Sequence, residues 1–121
     1  MDNRKTLVIG ASTNPERYSN MAIHSLRKHG HDVVALAKRA GKVADVDIQT
    51  DFPVNEDIHT VTMYVGEKHQ EEYYKLLLGL KPERVIFNPG AENFELAEML
   101  ELNGIETIEG CTLVMLNTGQ F

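Results

Sequence analysis

Short apolar blocks alternate with polar, helix-like blocks along the whole chain, and this alternation predicts strands and helices in turn. The first block, residues 6–11, is nearly all apolar, which is typical of a strand buried on both faces of a sheet. Residues 60–65 alternate Val or Met with Thr or Tyr, a period of two that also predicts a strand. The predicted strands are residues 6–11, 32–37, 46–48, 60–65, 84–88 and 105–108, the third at a sheet edge.

Helices are predicted between several of these strands, because apolar residues recur there at helical spacing. The predicted helices are residues 19–29, 67–80 and 92–103. Gly30 and Gly104 stand where the C-terminal end of a helix favours glycine. Residues 38–44 are predicted to form a loop, whereas the tail from Cys111 fits either a short helix or a further strand segment.

This succession of elements predicts a single-domain α/β fold over residues 1–121. Strands that alternate with helices form right-handed crossovers, so we expect a Rossmann-like three-layer sandwich around a mostly parallel sheet. For such a sheet the commonest strand order is 3-2-1-4-5-6, and ligands bind beyond the carboxyl ends of the strands where that order reverses. The loops predicted to face this crevice are residues 10–19, 65–68 and 88–93, with residues 38–42 at its flank.

The loop after the first strand has the layout of an anion-binding turn. Gly10 ends the strand, and we expect a β-carbon there to crowd a bound diphosphate or to strain the turn. Ser19 is predicted to cap the following helix, whose first amides would attract an anion. Neither G-x-G-x-x-G nor G-x-x-x-x-G-K-[ST] is present. A tight turn followed by a capped helix, without any ligand, fits the same residues.

Two cations follow the second predicted strand. An NAD site places an acidic residue here to accept hydrogen bonds from the adenosine ribose, but this chain has Lys38 and Arg39. Adjacent cations favour an additional phosphate on the ribose, which NADP carries at the 2′ position and coenzyme A at the 3′ position. On these residues alone both ligands are candidates, as is a solvated basic pair.

Composition narrows the class of protein. A net charge of −6 argues against a nucleic-acid-binding surface. A single cysteine, Cys111, excludes an internal disulfide and predicts a reducing, cytoplasmic location. No apolar run is long enough to span a bilayer, so no membrane association is expected. Because no histidine pair has metal-ligand spacing and no nucleophile–base pair can be placed at the crevice, neither a metal site nor catalytic residues are predicted.

Three segments carry a resemblance to a known family. They read V-I-G-A-S-x-x-P-x-R at residues 8–17, N-P-G-A-E-N at residues 88–93 and N-G-I-E-T-I-E-G-C at residues 103–111. With these segments the chain resembles the small stand-alone CoA-binding-domain proteins and the CoA-binding domain of the succinyl-CoA synthetase α subunit. It lacks the Asn-Pro pair that such domains often have after the second strand, and it has Glu109-Gly110-Cys111 where Asp-Arg-Cys is common.

The resemblance implies a Rossmann-like fold and coenzyme A as the ligand. It implies that the loop after the first strand holds the diphosphate and that Lys38 and Arg39 meet the ribose phosphate. The loops after the fourth and fifth strands would flank the adenine and the pantetheine arm. The candidate binding residues are Gly10, Ala11, Ser12, Arg17, Ser19, Asn20, Lys38, Arg39, Val65, Gly66, Asn88, Pro89 and Gly90.

Three functions are open from the sequence. The first is a CoA or acyl-CoA binding module without catalytic activity, acting alone, as a homo-oligomer or with a protein partner. The second is an NADP-linked oxidoreductase or redox-sensing domain, and the third is a ligand-free interaction domain. Cys111, predicted to follow the last strand at the mouth, could meet the thiol of a ligand, although a buried small hydrophobe fits it as well.

Overall fold

The computed structural model describes residues 2–121, which form a single sheet with helices on both faces. The strands are β1 (Thr6–Ile9), β2 (Val33–Leu36), β3 (Gly41–Val43), β4 (Val46–Gln49), β5 (Thr60–Met63), β6 (Arg84–Phe87) and β7 (Glu106–Glu109). The helices are α1 (Tyr18–Lys28), α2 (Tyr74–Leu80), α3 (Phe94–Leu102) and α4 (Thr112–Asn117). The sheet has the order β3-β4-β2-β1-β5-β6-β7, and all neighbours pair parallel except β3 and β4.

The predicted fold class and strand order are confirmed. The predicted strands correspond to β1, β2, β4, β5, β6 and β7, and the sheet places them as β4-β2-β1-β5-β6-β7, which is the order 3-2-1-4-5-6. The order reverses between β1 and β5, which are direct neighbours with Ile9 opposite Met63. Since both strands run the same way, their carboxyl ends meet at one edge of the sheet, where a ligand crevice is expected.

The prediction of a plain loop over residues 38–44 is wrong. Gly41–Val43 forms the strand β3, which pairs antiparallel with β4 and takes the edge position that was predicted for β4. Val43 and Val46 lie opposite each other in this hairpin and are both buried. The burial of these two side chains stabilises a hairpin where a crossover helix is the usual connection.

The two faces of the sheet carry separate apolar clusters. Alternate residues of the central strands, such as Leu7 and Phe87, pack with α2 and α3, whereas Val8 packs with Ile23 of α1 and Leu116 of α4. Every residue of β1 is fully buried, so the prediction of a strand buried on both faces is confirmed.

The predicted helix over residues 67–80 is correct only in its second half. Residues before Tyr74 form two 3₁₀ turns, Glu67–His69 and Glu71–Tyr73. Gln70 lies between these two turns, and its buried side chain hydrogen-bonds to the Val65 carbonyl in the same loop and to the Ala91 carbonyl in the loop after β6. These bonds accompany the tighter 3₁₀ turns at the start of the segment.

The other helix ends lie close to their predicted positions. Gly30 and Gly104 follow α1 and α3 with φ of +84° and +79°, as expected for glycines after a helix. Helix α3 begins at Phe94 because the Asn93 side chain caps it, accepting a hydrogen bond of 3.0 Å from the amide of Leu96. The tail forms a helix, α4, rather than a strand. Within residues 2–121, no helix has the length and hydropathy that a bilayer span requires.

Candidate ligand-binding site

A cleft of about 560 Å³ opens at the carboxyl ends of β1, β5 and β6. This is the edge at which the strand order reverses, the expected place for a ligand in an open α/β sheet. The residues that line the cleft are Gly10, Ser12, Glu16, Arg17, Tyr18, Ser19, Tyr64 and Pro89. Most belong to the segment Gly10–Ser19, called the β1 loop below.

The structure confirms that a side chain at Gly10 would strain the turn, because its φ is +96°. A β-carbon built on Gly10 would also lie 3.0 Å from Cγ2 of Val65 and 3.3 Å from the carbonyl carbon of Tyr64, a close contact with the end of β5 that the sequence did not indicate. Glycine at this position allows the chain to turn out of β1 while β5 stays close beside it.

The β1 loop is shaped by its own polar side chains. The Ser12 hydroxyl accepts a hydrogen bond of 3.1 Å from the amide of Asn14, and the Asn14 carboxamide oxygen accepts one of 3.0 Å from the amide of Glu16. Asn20, on α1, donates to the Ser12 carbonyl at 2.9 Å. Asn20 is buried, so this predicted ligand contact holds the loop against the helix instead.

The prediction that Ser19 caps α1 is wrong. The helix begins at Tyr18, its N-cap is Arg17, and Arg17 makes no side-chain cap bond. Ser19 is a buried residue of the first turn, which contains no acidic residue. The amide of Asn20 bonds to the Arg17 carbonyl at 3.1 Å, whereas the amides of Tyr18 and Ser19 have no acceptor within residues 2–121. This end of α1 therefore offers two free donors and positive potential at the wall of the cleft.

Charges of both signs line the cleft. Arg17 is exposed, and within residues 2–121 its guanidinium has no ion-pair or hydrogen-bond partner. Glu16 is also exposed and brings a carboxylate to the same wall. The donors of α1 and the Arg17 guanidinium favour an anion here, while Glu16 opposes one that lies against its own side chain.

Tyr64 forms a wall of the cleft that sequence reasoning missed. Its hydroxyl is buried near the side chains of Thr62 and Thr112, but it makes no hydrogen bond of normal geometry among the described residues. Burial raises the pKa of Tyr64 to about 12, so the hydroxyl stays protonated at neutral pH. The period-two pattern of residues 60–65 identified Tyr64 as a strand residue. Its position just beyond the end of β5 is the feature that could have placed it at the mouth of the cleft. Glu16 and Tyr18 are two further lining residues that were not predicted.

Lys38 and Arg39 lie after β2, at the flank of the mouth and outside the lining of the cleft. Lys38 forms an ion pair with Glu72, and its ammonium lies 5.8 Å from the centroid of the Tyr73 ring. The hydrogen bond to the Glu72 carboxylate raises the pKa of Lys38. Arg39 is exposed. Lys38 and Arg39 therefore differ in their surroundings, because Lys38 already has an anionic partner in Glu72.

The opposite side of the mouth is built from three buried side-chain amides, Gln70, Asn88 and Asn93, called the amide network below. The Gln70 amide nitrogen donates to the Val65 carbonyl at 2.8 Å and to the Ala91 carbonyl at 2.7 Å. Its oxygen accepts a hydrogen bond of 3.0 Å from Asn93. Gln70 therefore joins the loop after β5 to the loop after β6.

Asn88 was predicted to contact the ligand, but its side chain is committed to the protein. Its amide nitrogen donates to the Thr62 hydroxyl at 2.7 Å and to the Met63 carbonyl at 3.0 Å. Its oxygen accepts a hydrogen bond of 2.9 Å from the amide of Thr112, the first residue of α4. Asn88 thus ties β6 to β5 and holds the start of α4.

The other predicted residues of these loops differ in position. Pro89 lines the cleft, whereas Gly90 is exposed and has a φ of +94°. Val65 is half-buried against Gly10, and Gly66 is exposed. Ala11 is buried with the cluster beneath α1. The structure therefore brings Gly10, Ser12, Arg17, Ser19 and Pro89 together around the cleft, and it leaves the other predicted residues beside or beneath it.

No cluster of three or more His, Cys, Asp or Glu side chains that could hold a metal ion occurs in residues 2–121. Cys111 is half-buried at the N-cap of α4.

Within residues 2–121, the hydrogen bond between a histidine and a hydroxyl side chain joins His59 to Thr60, at 2.7 Å. Thr60 is fully buried and begins β5, at the edge of the sheet remote from the cleft.

Comparisons with known proteins agree with this fold. The model of the CoA binding domain matches residues 4–117. No curated protein matches the chain. A crystal structure described as that of an uncharacterized protein is 45% identical, with a TM-score of 0.96, and the match covers 100% of both chains.

More distant structures share the fold. The protein ID.343 from Thermus thermophilus is 18% identical with a TM-score of 0.87, and the match covers 98% of this chain and 91% of that one. A hypothetical protein from Pyrococcus horikoshii OT3 is 22% identical with a TM-score of 0.87, over 96% of this chain and 83% of that one. Since the family model spans nearly the whole sequence, the chain belongs to the CoA-binding domain family, and this membership supports coenzyme A as its ligand.

Proposed function

We propose that the chain binds coenzyme A or an acyl-CoA in the cleft beside the β1 loop and has no catalytic activity of its own. The observation that carries this proposal is the open N-terminal end of α1, with its free amides and the unpaired Arg17 in one wall of the cleft. A diphosphate lying on the β1 loop would satisfy these donors and the Arg17 guanidinium together.

The other parts of the ligand are assigned from the positions of the neighbouring loops relative to the diphosphate. Lys38 and Arg39, after β2, take the ribose phosphate on one side of the diphosphate. Pro89 and the Tyr64 ring line the cleft on the other side and supply apolar surface for the pantetheine arm. Val65, Gly66 and Gly90 contribute backbone at the rim, which a ligand can approach closely at the glycines.

The absence of catalysis is inferred from the side chains around the cleft. The histidine–hydroxyl contact described above, His59 with Thr60, lies at the other end of β5 and is closed to substrate. Catalysis by a nucleophile needs a base within hydrogen-bonding reach, and the cleft-lining residues contain no histidine or cysteine. A chain that binds CoA and catalyses no reaction of it acts as a carrier or a sensor, alone or with a protein partner.

Isothermal titration calorimetry with CoA, acetyl-CoA, dephospho-CoA, NADP and NAD tests the ligand. We expect CoA and acetyl-CoA to bind, and dephospho-CoA to bind at least tenfold more weakly, because charge-assisted bonds to a phosphate contribute about 1.5–3 kcal/mol. Tighter binding of NADP than of CoA would replace this proposal with the dinucleotide alternative. Binding of none of the five would favour the ligand-free interaction domain.

The variant Lys38→Ala/Arg39→Ala tests the ribose-phosphate contact. We expect it to weaken CoA binding about tenfold or more and to leave dephospho-CoA binding unchanged. Lys42→Ala is the matched control, because Lys42 is an exposed cation of the neighbouring strand β3. Equal losses for CoA and dephospho-CoA would show that these two residues do not contact the ribose phosphate.

A further inference from the structure

The Lys38–Glu72 ion pair crosses the mouth of the crevice. Lys38 follows β2, and Glu72 lies in the 3₁₀ turn after β5. Strand β1 lies between β2 and β5 in the sheet, and all three run parallel. The bond therefore joins two loops across the carboxyl end of β1, next to the point at which Gly10 begins the β1 loop.

Glu72 is held in place by its neighbours in the chain. Gln70 is fully buried and bonded to two loops, and Tyr73 is buried in the core, where its ring lies 6.4 Å from that of Phe52. Glu72 stands between these two anchored residues, so its backbone position is set by the core rather than by the ion pair. Lys38 is three-quarters exposed and has a flexible side chain, so it is the mobile partner.

We propose, on the basis of the proposed function, that Glu72 is a specificity-determining residue that competes with the ligand's ribose phosphate for Lys38. In the ligand-free chain the Lys38 ammonium is bonded to the Glu72 carboxylate. A phosphate monoester carries about −1.5 to −2 charges at neutral pH, so it attracts Lys38 more strongly than a carboxylate does and is itself repelled by Glu72. Glu72 therefore lowers the affinity for ligands with this phosphate and has no effect on ligands without it.

The variant Glu72→Gln removes the competing charge and keeps the shape of the side chain. We expect it to bind CoA about three- to fivefold more tightly than the unmodified chain, the upper part of the range that a contact between exposed charges gives. Binding of dephospho-CoA should stay within about twofold, because that ligand lacks the phosphate that Glu72 repels. Both affinities are measured by calorimetry at one fixed salt concentration.

Glu71→Gln is the matched control, because Glu71 is the adjacent exposed carboxylate of the same turn and forms no ion pair within the described residues. It changes the net charge of the chain by the same amount and should leave both affinities unchanged. In the Lys38→Ala background, Glu72→Gln should tighten CoA binding less than it does in the unmodified chain, because no ammonium is left to release and the change removes the direct repulsion of the phosphate alone.

The outcomes separate this proposal from the proposed function. If CoA binds to the unmodified chain but Glu72→Gln leaves its affinity unchanged, weakens it, or tightens CoA and dephospho-CoA equally, competition by Glu72 is wrong and CoA binding stands. An equal gain with Glu71→Gln would also overturn it, because the effect would then be one of net charge. If no variant binds CoA, the proposed function fails and this inference fails with it.

Discussion

The β1 loop and the amide network meet at the same cleft, but they use their polar groups in opposite directions. In the β1 loop, the Arg17 guanidinium and the amides of Tyr18 and Ser19 have no hydrogen-bond partner within residues 2–121, and these three residues line the cleft. In the amide network, Gln70, Asn88 and Asn93 are buried, and each side chain bonds to other parts of the chain. One region leaves its donors facing the cleft, and the polar groups of the other are bonded within the frame around it.

This difference changes the meaning of two sequence motifs. The segment V-I-G-A-S-x-x-P-x-R supplies four of the eight residues that line the cleft, Gly10, Ser12, Glu16 and Arg17. In N-P-G-A-E-N, by contrast, both asparagines are structural, because Asn88 holds α4 and Asn93 caps α3. Only Pro89 of this motif lines the cleft. A residue of a ligand-associated motif can thus act through the frame without touching the ligand.

The largest effect is expected from breaking the amide network at its centre. Gln70→Leu leaves the carbonyls of Val65 and Ala91 without their donor in a buried place, which should lower the free energy of unfolding by about 2–4 kcal/mol. Urea denaturation measures the loss. The control is Gln49→Leu, since Gln49 is exposed and bonds only to the nearby Asp51 carbonyl. Similar losses in the two variants would show that the network contributes no special stability.

The second prediction concerns Gly10, where the β1 loop packs against Val65, whose carbonyl accepts a hydrogen bond from Gln70 of the amide network. Gly10→Ala combines a left-handed backbone with a β-carbon 3.0 Å from Val65, so we expect a loss of about 2–3 kcal/mol and weaker CoA binding. Gly90→Ala is a close control, because Gly90 has a φ of +94° but no atom within 4 Å of its added β-carbon. It should cost about 1 kcal/mol, the strain alone. Equal costs in thermal or urea unfolding would mean that the β1–β5 contact does not require glycine.

The third prediction concerns the β1 loop alone. Arg17→Ala removes an exposed cation without a protein partner, so the free energy of unfolding should change by less than about 0.5 kcal/mol. If Arg17 contacts the diphosphate, CoA affinity should fall about tenfold, or about 1.4 kcal/mol. Lys28→Ala, at the other end of α1, is the control for charge and should leave affinity unchanged. Unaltered CoA affinity in Arg17→Ala would remove Arg17 from the site.

The smallest effect is expected at Tyr64, which forms a wall between the two regions. Its hydroxyl is buried without a partner, so Tyr64→Phe should leave the free energy of unfolding unchanged or raise it by up to about 1 kcal/mol. Tyr74→Phe serves for comparison, because the Tyr74 hydroxyl accepts a hydrogen bond of 2.9 Å from Asn93 and its loss should cost about 1 kcal/mol. A clear destabilisation by Tyr64→Phe in urea unfolding would reveal a bond to the Tyr64 hydroxyl.

The sequence by itself determined the class of fold and the edge of the sheet that carries the site. The periodicity of apolar residues identifies the buried face of each strand and helix directly. Parallel strands joined by crossovers allow few topologies, so the strand order β4-β2-β1-β5-β6-β7 could be predicted from the pattern. Gly10 and the helix start after it were also evident, because a strand, a glycine and a helix are contiguous in the chain. These features depend on residues that are close in sequence.

The tertiary structure alone decided how the polar side chains are used. Gln70 bonds to a carbonyl 21 residues away and Asn88 to an amide 24 residues away, and no local pattern shows such partners. Gln70 lies between the two 3₁₀ turns that replace the start of the predicted helix, and its bonds and those of Asn88 belong to the frame of the cleft. The bond between Lys38 and Glu72 spans 34 residues in the same way. A buried polar group must find a partner wherever the fold supplies one, and for that reason its role follows from the packing rather than from the pattern.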